Sequence, residues 1–458
     1  MEKDFETKSI RYLVLKLGIP AMFAQFFNIL YSIVDRMFVG NIPGEGGLAL
    51  ASIGVCAPAL SALSAFAFMV GIGGSSLMSM SLGKKRKEEA QKAMNNAILM
   101  IAVISVVVTA LCLFFETPIL SFLGSSEKML PMAEAYYRVY VAGTFFSLCG
   151  LCLNQFLLAQ GFAKQGMIAV ILGAILNAVL DPVFIFGMHL GITGAAVATV
   201  LSQIVVFGYV LMVFLKNRAG NGKQGLTVGI GFGSYSFAMV KRILAIGIMS
   251  FLIMILDNSI LIILNMSLRK YGGDLGDQYI ASGAVIQSFM SVVFCPAQGI
   301  TNGCATLFSY HYGAGNYKKI MQIFRTVFCV CGIYMIIMVL LAQFFAEPFA
   351  AIFVKGTENI ELTASFLQKY TIGLLGVAAQ YAFVDGLTAM GKIRYALPLS
   401  LFRKILYLIC LFVLPLVTAL ENIFYVGTIS DLVGGSFTVI VFLTVIMGKL
   451  RHEMTGTK

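Results

Sequence analysis

The sequence predicts an all-α integral membrane protein, with about twelve transmembrane helices in two parallel-repeat six-helix lobes. Three observations lead there. Of 458 residues, 59% are hydrophobic and 12% charged, too little charge to cover a soluble chain of this length. Apolar runs near 20 residues, the length that crosses about 30 Å of hydrocarbon as a helix, recur along the whole sequence; no period-two barrel pattern competes with them. The chain also resembles itself at a displacement of half its own length, the mark of an internal repeat.

Taken in order, the expected spans are 17–39, 48–80, 93–115, 130–159, 166–187 and 191–215, then 243–268, 279–310, 319–345, 361–389, 395–418 and 422–447. The longer ones are expected to tilt or to include re-entrant turns. They divide the chain into a segment 1–16, a lobe 17–216, a linker 217–237, a second lobe 238–448 and a tail 449–458. Within the linker, Ala219–Ser236 is Gly-rich. The first apolar run is too long for a signal-peptide core and lacks a small-residue cleavage pattern.

The repeat rests on three separated matches. Leu17-Gly-Ile-Pro20 matches Ile246-Gly-Ile-Met249. Gly73–Gly83 matches Gly303–Gly313, and Leu158-Ala-Gln-Gly161 matches Thr388-Ala-Met-Gly391. The last two share one displacement, and the first differs from it by a single position. An even number of spans per half gives both halves the same orientation, related by an axis along the membrane normal, as in many carriers.

Charge placement sets that orientation. Lys3, Lys8, Arg11 and Lys16 precede the first span, and Lys84, Lys85, Arg86, Lys87 and Lys92 follow the second. Lys216, Arg218, Lys223, Lys241, Arg242, Lys318, Lys319, Arg325, Lys392 and Arg394 fall on the same side, against mainly Glu45, Glu116, Glu127, Glu347, Glu358, Glu361 and Glu421 on the other. By the positive-inside rule both termini are expected in the cytoplasm of a multi-pass cell-membrane protein. The net charge of +11 is then an insertion signal, and nucleic acid is excluded as a partner.

Four acids stand out within the spans: Asp35, Asp181, Asp257 and Asp385. A carboxylate there costs about 2.5–3.5 kcal/mol on insertion scales and normally faces a bundle interior or a wet cavity. Asp181 has Asn177 one turn before it on the same face. Pro182, which follows, disturbs the carbonyl at Ala178. A carboxylate, an amide and a loosened carbonyl are ligands for a small hard cation or a proton. Tyr31 precedes Asp35, and Tyr381 precedes Asp385, by one turn, within reach of a shared hydrogen bond or cation. Arg36 could instead hold Asp35 in an interfacial ion pair. Asn154 and Thr199 are neutral ligands of the right type, or ordinary interhelical glue. Glu134 and Asp431 also fall inside spans, with nothing nearby in sequence to suggest a site.

Other chemistry is excluded. Gly386–Lys392 imitates a phosphate loop, but Ile393 stands where Ser or Thr should hold magnesium, and a membrane helix precedes it instead of a strand. His189, His311 and His452 are far apart, against a membrane-embedded enzyme with clustered metal ligands. Cys149 and Cys152 lie inside a span and read as small buried hydrophobes. No cofactor is expected, so uphill transport would draw on an ion gradient. The 24 Met and 37 Phe could line an adaptable pocket, though membrane helices need apolar residues in any case.

These residues together resemble the multidrug and toxic compound extrusion (MATE) family, over nearly the whole chain. The resemblance is carried by Pro20, Asn28, Tyr31 and Asp35-Arg-Met-Phe-Val-Gly40; by Gln160-Gly-Phe, Asn177, Asp181-Pro182 and Gly191–Ala196; and by Ser309–Asn316. It implies two six-helix lobes and export of drug-like, often cationic compounds by sodium- or proton-coupled antiport with alternating access, with a monomer as the expected state. It implies a cation site in the amino-terminal lobe from Asp35, Asn177, Asp181 and Thr199, with Tyr31 and Asn154 beside it. Asp257, Tyr381 and Asp385 match an acidic site in the carboxy-terminal lobe, though Glu is frequent in the family where Asp257 stands. Sodium is a possible occupant at the same acids. The nearest alternative is a related lipid-linked saccharide flippase, which would carry inward-facing basic residues; Arg138, Arg325 and Arg403 are the candidates.

Overall fold

The computed structural model describes residues 2–217, 226–231, 233–272, 276–352, 356–418 and 420–455. Expected linker residues 218–225 and 232, Arg218 and Lys223 among them, and tail residues 456–458 lie outside the described residues. All regular structure described is helical, with no strand.

The main helices are α1 (Ile10–Gly40), α2 (Gly46–Gly83), α3 (Lys87–Phe114), α4 (Leu130–Ala142), α5 (Thr144–Ala159), α6 (Ala163–Pro182) and α7 (Gly191–Lys216). Then come α8 (Phe237–Gly272), α9 (Gly276–Gly313), α10 (Tyr317–Ala350), α11 (Thr357–Thr371), α12 (Leu374–Ala389), α13 (Ile393–Val417), α14 (Tyr425–Val441) and α15 (Met447–Thr455). Among the described residues nine helical segments are long and apolar enough to cross a membrane, and eleven if the bent pairs α4–α5 and α11–α12 each count as one. Helix α9, 38 residues long, covers the remaining expected span, 279–310. Where a helix faces outward its apolar side chains lie at spacings of three and four, as with Val103, Val106, Val107 and Leu111 on α3. Small residues such as Gly71, Gly73, Gly74, Ser75 and Ser76 on α2 are turned inward. That inversion suits a lipid solvent, where close backbone packing replaces an oily core.

Contacts divide the chain into two units, Met1–Lys8 with Ile19–Met254, and Ser9–Gly18 with Ile255–Lys458. In the first, α2 packs on α3 and α5, α5 on α7, and α6 on α7. In the second, α9 packs on α10 and α12, α12 on α14, and α13 on α14. This is one scheme built twice. Helices α2 and α9 begin at Gly46 and Gly276, α3 and α10 at Lys87 and Tyr317, and α6 and α13 at Ala163 and Ile393, all at one constant displacement. The left-handed residues Lys85 and Gly315, and Gly161 and Gly391, keep the same displacement.

The bent spans show why. Helices α4 and α5 meet at Gly143 with a 51° bend, and α11 and α12 meet at Gly373 with one of 40°. A Cβ on Gly143 would lie 2.5 Å from Val200 Cγ2, and one on Gly373 would lie 2.6 Å from the Thr428 Cα. Both glycines let the bend press against the last long helix of the unit.

The described part of the linker is held to the first unit by side-chain amides. Gln160 donates to the Val228 carbonyl at 3.0 Å and accepts from its N–H at 2.9 Å. Gln91 donates to the Gly229 carbonyl at 2.6 Å, and Asn95 to the Gly233 carbonyl at 3.1 Å. Asn96 donates to the Ser234 carbonyl and accepts from the Ser236 N–H. Leu226 and Val228 are buried beneath it, so a Gly-rich strap with few side chains keeps its place through its backbone.

Candidate functional site

In the first unit, three helices bring four of the expected side chains to one place. Asp35 comes from α1, Asn177 and Asp181 from α6, and Thr199 from α7; all four are buried, Asp181 completely. The Asn177 amide donates to Asp181 Oδ1 at 3.3 Å and to Thr199 Oγ1 at 3.2 Å. Thr199 in turn donates to the Ala195 carbonyl one turn back, at 3.0 Å. The two carboxyls interact electrostatically with each other, and both act on Tyr31.

Local chain geometry makes the site. The four-residue spacing of Asn177 and Asp181 places both on one face of α6. After Pro182 the helix widens into a π turn, Val183–Gly187, a departure common at functional positions. A Cβ on Gly194 would meet the Phe184 carbonyl carbon at 2.7 Å, so the start of α7 lies directly on that turn. Val39 and Ile185, one turn beyond the two acids, belong to a buried apolar cluster with Leu63, Tyr137 and Ile192 that walls off that side of the site.

Three buried oxygens in this group lack a hydrogen-bond partner among the described residues: Asp35 Oδ1, Asn177 Oδ1 and Asp181 Oδ2. Arg36 is exposed and makes no ion pair with Asp35 among the described residues. Two interacting carboxyls without an ion-pair partner cannot both stay ionised cheaply in a low-dielectric site, so the arrangement suits a proton or an oxygen-seeking cation.

Asn154 is elsewhere. Its Oδ1, also unpartnered, lies where a Cβ on Gly166 would sit 2.9 Å away, and Gly166 precedes Asn177 by about 16 Å of helix rise. Asp35 does interact electrostatically with Tyr136 and Tyr140, whose rings are 6.0 Å apart; the Tyr140 hydroxyl accepts from Gln203 at 3.3 Å. The four-residue spacings Tyr136–Tyr140 and Thr199–Gln203 carried that signal.

The second unit differs. Asp385 accepts from Thr301 Oγ1 at 2.7 Å, and Tyr381, one turn earlier, has both Asp385 and Asp257 within electrostatic reach. A π turn, Gln380–Val384, lies immediately before Asp385. Asp257, however, is ion-paired with Lys404 of α13. The neighbouring Arg403 pairs with Asp431 of α14 at 2.7 Å. Asp431, a residue with no sequence-local partner, is thereby tied into the cluster. Glu134 accepts from Thr117 at 2.5 Å, and Arg138 pairs with Glu116 in an exposed setting. No group of three or more His, Cys, Asp or Glu side chains gathers as a metal site among the described residues.

The model of the MatE family matches residues 20–183 and again 250–413. The chain belongs to the MatE family. The two matches are equal in length and are displaced from each other as the paired helices are. Among similar proteins are the multidrug export protein MepA of Staphylococcus haemolyticus, 24% identical over 99% of this chain and 97% of its own, and MepA of Staphylococcus aureus, 23% identical over 93% and 92%. Similar solved structures include an outward-facing multidrug resistance MATE family transporter of the MOP superfamily, and a MOP superfamily transporter from Pyrococcus furiosus described with a binding pocket of reverse polarity. Each has a TM-score of 0.90 at 22% identity, over 98% of both chains. The MATE fold expected from the sequence is thus shown.

The MatE repeat also aligns the two sets of charges. On α6, Gly173 and Ala174 stand where α13 has Arg403 and Lys404, and Asn177 and Asp181 stand where α13 has Tyr407 and Leu411. Beyond its first turn α6 carries one charge, Asp181, whereas α13 carries Arg403 and Lys404.

Proposed function

We propose that this MatE protein is a secondary active exporter of organic, drug-like and often cationic compounds, driven by sodium or proton antiport through alternating access. The observation that carries the reading is the pair Asp35 and Asp181, buried together without an ion-pair partner among the described residues and with unpartnered oxygens. Bound ion and cationic drug would compete for these carboxyls, and mutually exclusive binding is what prevents a leak in an exchanger. Asn177 holds Asp181 in place, Thr199 holds Asn177, and Tyr31 closes the polar edge. The multidrug export names of the relatives and the double family match support the substrate class. Basic loop placement supports a multi-pass cell-membrane protein with both termini in the cytoplasm. No enzymatic step, nucleotide or organic cofactor enters this reading, and a single chain suffices for it.

The lipid-linked saccharide reading would call for free buried cations to hold a phosphate. Lys404 is buried and Arg403 half-buried, and they are neutralised by Asp257 and Asp431 respectively, which favours the drug exporter. The test is ethidium efflux from cells or vesicles with sodium and proton gradients imposed separately. Efflux that collapses with one gradient is expected. Efflux that persists with both gradients dissipated and ATP maintained would overturn the proposal.

A further inference from the structure

The Asp257–Lys404 pair is lopsided. The lysine side chain is 4% exposed, whereas that of Asp257 is 56% exposed. Burying an ammonium costs several kcal/mol unless an acid stands beside it, so Lys404 needs Asp257 more than Asp257 needs Lys404. The carboxylate is left partly open. Arg403, the next residue on α13, also acts on Asp257 electrostatically while holding Asp431. Gly434 of α14 allows this, since a Cβ there would lie 2.9 Å from the Arg403 Cβ. The four groups carry two positive and two negative charges, and the directly paired cluster is neutral.

A sodium ion arriving at Asp257 would meet a carboxylate already engaged and two neighbouring cations. Like charges about 4 Å apart repel by about 4 kcal/mol at the effective dielectric of such sites. The positions of the first unit equivalent to Arg403 and Lys404 are the uncharged Gly173 and Ala174. One repeat thus leaves its acids open to an external ion, and the other supplies a cation from its own chain.

We propose that the Lys404 ammonium is the resident cation of Asp257, taking the place that a coupling ion would otherwise occupy. The Asp257–Lys404 and Asp431–Arg403 pairs then stay charge-balanced through the cycle without binding an ion from solution, and Asp257 takes no part in coupling. Lys404 is in this sense a specificity-determining residue, one that decides which acids of the protein exchange ions. The inference rests on the reading of the chain as an ion-coupled exporter.

The test measures binding of radioactive sodium to the full-length protein at about pH 8, where free carboxyls are ionised. An Asp181→Asn background silences the first unit. In that background, with Lys404 intact, adding Asp257→Asn is expected to leave bound sodium unchanged. Adding Lys404→Met instead removes one positive charge and should raise bound sodium at least about tenfold. Lys404→Arg, which keeps the charge, should not. The gain should vanish when Asp257→Asn is combined with Lys404→Met. Saturable sodium binding that depends on Asp257 while Lys404 is present would overturn the proposal, and that arm needs no variant of the lysine. So would a folded Lys404→Met protein that gains no sodium. Failure of the exporter reading appears separately, as wild-type dye efflux indifferent to both gradients.

Discussion

The acids of the first unit and those of the second occupy one scaffold and solve the same electrostatic problem in opposite ways. Asp35 and Asp181 are buried together with an amide and a hydroxyl, and neither has an ion-pair partner among the described residues. Asp257 and Asp431 are matched by Lys404 and Arg403, so their neutralising charges are covalently built in. The helices, glycine breaks and left-handed turns recur from one unit to the next, whereas the polar residues on α6 and α13 do not. Shared backbone geometry therefore does not dictate where an internal charge stands: Asp181 falls opposite Leu411, and Arg403 and Lys404 opposite Gly173 and Ala174.

The sharpest way to break this comparison is to neutralise one acid of the first unit. Asp181→Asn keeps the size and much of the hydrogen bonding while removing the exchangeable charge. Gradient-driven efflux at matched membrane abundance is expected to fall at least about tenfold, whereas Glu45→Gln and Glu127→Gln should leave it unchanged. Full activity of the Asp181→Asn protein would sink the proposed mechanism.

Charge removal in the second unit should act on stability instead. Asp431→Asn leaves Arg403 without its acid, and is expected to destabilise by about 3 kcal/mol, the low end for a buried pair because Arg403 is partly exposed. Thermal unfolding in detergent reads this, and the loss should be the same with and without sodium. A sodium-dependent loss would place an exchangeable ion in the second unit.

The scaffold itself should respond symmetrically. Gly143→Ala and Gly373→Ala each force a methyl into a closed contact, at a cost of about 1–3 kcal/mol. Comparable losses of thermal stability are expected from both. A neutral outcome at one position would show that its bend is not held by the packing described.

The smallest effect is expected from Thr199→Val, which removes the acceptor for Asn177 and the bond to Ala195. A loss of about 1 kcal/mol should appear as weaker ion dependence of efflux, with expression unchanged. No change in ion dependence would reduce Thr199 to helix packing.

Much was legible in the sequence because its causes are local. Apolar runs specify membrane helices wherever they occur, since backbone polar groups in lipid must be satisfied within their own segment. Self-similarity exposed the duplication, and the spacing of Asn177 and Asp181 placed them on one face before any tertiary contact was considered. Partner choice across helices was not legible. Asp257 and Lys404 are 147 residues apart in sequence, and Asp431 and Arg403 are 28 apart; no periodicity connects them. Asp431 therefore had no visible partner, and Arg403 was a candidate for a phosphate instead of an acid. Asn154 has the right chemistry, but helical spacing tells which face it occupies on its own helix and not which turn of α6 it meets. The sequence alone determined the fold class, the repeat and the acids that had to be neutralised, because hydrophobicity and helical period act over a few residues. Tertiary structure alone decided what neutralises each acid, because an ion pair is set by which side chains the packing of distant helices brings within a few ångströms.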